Sequence, residues 1–159
     1  MKDINTLVPG FAAALESVPG TLHAHRRLEK ALEAGNLSPR NRAQIGVVVS
    51  HAVHCDYCSW IYSRVAADRG LTGEDMLLAS AGAALDRRES AILRLAQRMV
   101  AGGILLKRVD CDPRDVGILG ESEIAEVAAH VALAILTCYV LQGLAPSARG
   151  RAPQTRRAA

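Results

Sequence analysis

Apolar positions in this chain recur mostly at helical spacing. In the segment 86–102, DRRESAILRLAQRMVAG, residues Ala91, Ile92, Leu95, Ala96 and Met99 fall on one face at the three- and four-residue spacing of an amphipathic helix. The segment 19–35 predicts another helix, with Leu22, Leu28 and Leu32 marking its apolar side and Gly35 as its stop. A weak first helix is expected over 9–17. Ser38 followed by Pro39 is a helix start, and the apolar run Ile45–Val49 continues to Ala52 as a buried helix rather than a strand. Further helices are expected from about Tyr57 to Arg69, closed by Gly70, and after Thr72, where Glu74 and Asp75 suit a first turn. Residues 105–120 read as a loop with one short helical turn after Pro113. The last and longest helix opens at Glu121 and is expected to end between Gly143 and Pro146. The pattern predicts an all-α bundle of six to seven helices.

Composition agrees. Half of the 159 residues are hydrophobic and only 3% are aromatic. The preponderance of Ala and Leu favours helices, because these side chains lose little on entering one. The length suits one domain, placed at 1–145, with no repeat and no glycine-rich phosphate loop. The formal charge of +3 belongs to the end of the chain. Without Arg149, Arg151, Arg156 and Arg157 the rest holds 15 basic and 16 acidic residues. Residues 146–159 are therefore expected to be a solvated, disordered basic tail, with no nucleic-acid partner.

Residues 127–148 carry no Lys, Arg, Asp or Glu, a run long enough to span a bilayer. His130, Thr137, Tyr139 and Gln142 interrupt it, and it is rich in alanine. Burial in a bundle or a homo-oligomer is the expectation, not a membrane span. The N-terminus shows no secretory signal, and a cytoplasmic setting follows.

The candidate chemistry lies in residues 51–60, HAVHCDYCSW. A cysteine must ionise to attack, and its ordinary pKa of about 8.5 opposes that at neutral pH. A helix N-terminus or a nearby imidazole lowers the barrier. Cys55 and Cys58 have the C-x-x-C spacing that lets one thiol resolve the other. An unbroken helix would place Gln44, His51, Cys55, Cys58 and Tyr62 on one stripe, flanked by His54; a break near Cys55 would make that stripe approximate. Four metal ligands are hard to supply from eight contiguous residues, and no second Cys/His pair is present, so neither a metal nor a cofactor is expected. By themselves, these residues also fit an inert buried cluster. Cys111 and Cys138 read as solitary small hydrophobes.

The stretch LSPRNRAQIGVVVSHAVHCDYCSWIYSRVAADRGLTGEDM resembles the core of the AhpD-like alkylhydroperoxidase and carboxymuconolactone decarboxylase superfamily. Arg42, Ser50, Cys55, Tyr57, Cys58, Gly70 and Thr72 match its pattern, and the likeness extends over roughly residues 20–146. It implies an all-helical homo-oligomer, often a trimer or hexamer. It also implies a peroxidatic role for Cys58 and a resolving role for Cys55, with a hydroperoxide substrate and a thiol or dithiol electron donor. The chain departs from the pattern at both proton-relay positions. Ala43 stands where the family has glutamate, and Tyr62 where it has histidine four residues after the second cysteine. A phenol is a poor base at neutral pH, so His51 or His54 is expected to take over that role. The expected site is therefore Cys58, Cys55, His51, His54 and Tyr62. The rival expectations are a decarboxylase-like enzyme acting on a small lactone or acid, and a non-catalytic oligomeric family member.

Overall fold

Ser38 starts the central helix of the molecule. Its hydroxyl accepts the Asn41 amide at 3.0 Å, and Pro39 occupies the first turn, where no amide is needed. We describe the fold from a computed structural model, which covers residues 4–8, 10–102, 115 and 117–148. Among the described residues there are eight helices and no strand: α1 (Ile4–Leu7), α2 (Gly10–Glu16), α3 (Thr21–Glu33), α4 (Pro39–Ala52), α5 (Asp56–Ala67), α6 (Gly73–Ser80), α7 (Arg87–Ala101) and α8 (Glu121–Ala148).

Helix α4 is buried almost all round. Every residue from Ala43 to Ser50 is inaccessible, and α5, α6, α7 and α8 pack around it. This explains why Ile45–Val49 reads as a continuous apolar run rather than a helical stripe. Gln44, polar in that core, is satisfied on both ends. Its Oε1 accepts from Asn41 at 3.2 Å, and its Nε2 donates to Glu89 of α7 at 3.1 Å. Arg40 joins α4 to α6 and α7 through Asp75 and Glu89. Thr72 and Asp75 form a reciprocal capping box at the start of α6.

Three elements differ from the sequence expectation. The short α1 precedes the first helix expected, which brings the number to eight. On α3 the buried side chains are Leu22, His25 and Leu32, while Leu28 is exposed. His25 takes the inward place because its ring meets Phe11 edge-on, with centroids 5.4 Å apart, and its Nε2 reaches Thr137 at 3.4 Å. Helix α8 does not stop between Gly143 and Pro146 but continues to Ala148. A proline in the last turn removes a single helical hydrogen bond, which a terminal turn tolerates better than a helix interior. The expected turn after Pro113, most of the loop 105–120, Cys111 and the tail from Arg149 onward lie outside the described residues.

The joint between α3 and α4 is held from across the bundle. Buried Glu126 of α8 accepts the backbone amides of Asn36 and Leu37, both at 2.9 Å. Gly35 permits this approach, since a Cβ there would lie 2.2 Å from Glu126 Oε1.

Candidate active site

Helices α4 and α5 are two helices, not one. The chain turns at His54, whose φ of 51° is the left-handed conformation seldom adopted by a residue with a side chain. Cys55 is then the N-cap of α5. Its sulfur accepts the Cys58 amide at 3.1 Å, in the place a serine or aspartate oxygen would take. Asp56 is the first helical residue.

Cys55 and Cys58 are joined as a disulfide, with Cα atoms 5.2 Å apart. The two sulfurs have different surroundings. Cys58 is wholly buried, and its Sγ lies 3.7 Å from the carbonyl oxygen of Cys138 on α8. Cys55 sits nearer the surface at the helix start, with 8% of its area exposed. A thiolate formed at Cys55 would face the partly positive amide end of α5, which favours the ionised form. Cys138 is a free thiol, and burial pushes its pKa up to about 12, so it stays protonated.

His51 lies in the last turn of α4 and His54 in the turn that follows, and both are exposed. Among the described residues, neither imidazole makes a hydrogen bond or ion pair. Gln44 is drawn toward Asn41 and Glu89, so the break at His54 leaves the stripe joining it to the cysteines approximate at best. Tyr62 is buried one turn beyond Cys58. Its ring lies against Gly46 of α4, where an added Cβ would stand 2.2 Å from the ring. Burial, with a smaller contribution from the Cys138 thiol, raises the phenol's pKa above its ordinary value, and Tyr62 remains a neutral hydroxyl. Ala43, at the other relay position, is buried among apolar neighbours.

Next to Tyr62 a cavity of about 180 Å³ opens between α3, α4, α5 and α8. Its polar lining comes from Glu29, Glu33, Arg42, Arg69, His130 and Thr137. Arg42, singled out in the sequence only as part of a motif, donates through Nη1 to the carbonyls of Leu32 and Glu33 and so closes the end of α3. Arg69, His130, Thr137 and Glu29 carry no local sequence signal. They meet here because α3, α5 and α8 converge on α4, and a pass along the chain cannot see that convergence. Among the described residues, no three His, Cys, Asp or Glu side chains are grouped to hold a metal ion.

The model of the carboxymuconolactone decarboxylase family matches residues 19–98, half of the chain, including α4, the disulfide and α5. Comparison with curated proteins and with solved structures returns no match.

Proposed function

As this chain belongs to the carboxymuconolactone decarboxylase family, we propose that it is a thiol-dependent oxidoreductase that reduces hydroperoxides through Cys55 and Cys58. The carrying observation is the disulfide at the start of α5, with one sulfur buried and the other at the helix cap. In the reduced protein the Cys58 thiolate attacks the terminal peroxide oxygen. The O–O bond breaks, the alkoxide takes the proton that the base removed from Cys58 and leaves as alcohol, and Cys58 becomes a sulfenic acid. The Cys55 thiolate then displaces hydroxide from that sulfur, which leaves as water after taking a proton, and the disulfide closes. An external dithiol restores the pair by attacking the more accessible Cys55 sulfur, with Cys58 leaving as thiolate. Its second thiol then frees Cys55 and carries away the oxidising equivalents.

Two features bear on this cycle. The Cys58 sulfur faces the Cys138 carbonyl, which favours the protonated thiol, so ionisation of Cys58 needs a base. His51 and His54, exposed beside the helix start, are the bases available to take the thiol proton, since Tyr62 is held neutral by burial. Homo-oligomerisation through α8 and a cytoplasmic setting belong to the same reading.

Single cysteine variants test it. Cys58→Ser should abolish peroxide consumption, and Cys55→Ser should stop after one turnover with a sulfenic acid or mixed disulfide detectable by mass spectrometry. Peroxide consumption equal to wild type in both variants would exclude the cycle.

A further inference from the structure

The cavity beside Tyr62 contains more hydrogen-bond donors than the protein itself uses. Arg69 is half-buried, and its Nε is enclosed without a hydrogen-bond partner among the described residues. Its guanidinium pKa is lowered, first by burial and then by repulsion from Arg42, which outweighs the attraction of Glu33 and of Glu29. Arg42 bonds the α3 carbonyls through Nη1, and among the described residues its other nitrogens have no hydrogen-bond partner. His130 is buried, and its Nε2 also has no hydrogen-bond partner among the described residues. The nearest carboxylate oxygen, on Glu126, is 4.0 Å away and already holds the amide of Leu37. A buried donor left without an acceptor is unfavourable, so these groups favour a ligand that supplies one. Here three basic side chains share one small space, close enough to feel one another electrostatically.

The remaining walls restrict what could satisfy them. Val65, Leu133 and Ala134 make an apolar side suited to hydrocarbon. Glu29 and Glu33 of α3 line the same cavity and oppose a second negative charge. At about 180 Å³ the space is below the roughly 300–1,000 Å³ of pockets for drug-sized ligands. A bulky dianion does not suit this lining.

We propose that this cavity binds a small monocarboxylate, its carboxylate held among Arg42, Arg69 and His130 and its hydrocarbon part lying along Val65, Leu133 and Ala134. The proposal does not rest on the redox reading, because it concerns binding and needs no thiol.

Isothermal titration of the full chain with hexanoate, hexanamide and inorganic phosphate tests it. Hexanoate should saturate one site per chain. The neutral amide and phosphate should bind at least about tenfold more weakly, since each loses either the charge or the apolar contact. Arg69→Gln should weaken hexanoate by a similar factor, and Cys58→Ser should bind it as wild type does. Val65→Phe, which fills the apolar side, should also block binding and serves where the arginine variant does not fold. Absence of saturable hexanoate binding, equal binding of hexanamide or phosphate, or full hexanoate affinity in the folded variants at Arg69 or Val65 would overturn the assignment.

Discussion

Burial lowers the pKa of His130 to about 4, with Glu126 opposing the shift and Arg42 and Arg69 reinforcing it. The ordinary imidazole value is 6.5, so between these two pH values the unfolded chain binds a proton that the folded chain refuses. Stability should therefore fall as pH drops from 6.5 toward 4 and level off below that. The full extent is about 3 kcal/mol at 1.36 kcal/mol per pH unit. Urea midpoints measured across this range should show the slope, and His130→Gln should remove it. A slope unchanged in that variant would place its origin elsewhere. His51 and His54 precede the start of α5. If either activates a thiol, replacing it with Gln should slow alkylation of the reduced pair at pH 7 by about 10–10⁴-fold. A pH profile of alkylation unmoved by both replacements would exclude the two histidines as bases.

At the scale of elements, Gly46 sets how closely α5 approaches α4. Gly46→Ala would place a methyl 2.2 Å from the Tyr62 ring, with both helices packed too tightly to yield easily. We expect a loss of about 1–3 kcal/mol in denaturant titration. Combining it with Tyr62→Leu should recover part of that loss, because the clash would no longer have its second partner. Additive losses in the double variant would mean that Gly46 and Tyr62 do not meet. This contact also marks how far the sequence can be read. Ser38, Pro39, Thr72 and Gly70 announce their helix ends through local chemistry, and α4, α6 and α7 are legible to within a few residues. The pairing of Cys55 with Cys58 is legible in their spacing. The inward turn of His25, the approach of Glu126 to Gly35 and the charged cavity are set by contacts between residues distant in the chain, which leave no periodic trace. Cys55 as a cap was hidden because cysteine is not among the residues usually found there.

For the whole molecule, α8 is left incompletely covered by the other described residues. Its stretch Glu121–Leu144 is long and apolar enough to cross a membrane, yet only a third of its most apolar part is covered by the rest of the chain. Ala132, Leu136 and Tyr139 form an exposed stripe at helical spacing, with Leu136 41% and Tyr139 66% exposed. A surface of this kind suits symmetric self-association. Leu136→Asp should reduce the mass of a homo-oligomer measured by light scattering without detergent, or precipitate the protein. A soluble wild-type monomer would contradict self-association, and recovery solely in the membrane fraction would favour a span. The proposed function depends on whether the dithiol turns over. The most direct measurement is to reduce the full chain, add one equivalent of an alkyl hydroperoxide and follow the peptide containing both cysteines by mass spectrometry. This peptide should lose two hydrogens as one equivalent of alcohol appears, with Cys138 unchanged. Persistence of both thiols while peroxide remains unconsumed would contradict it.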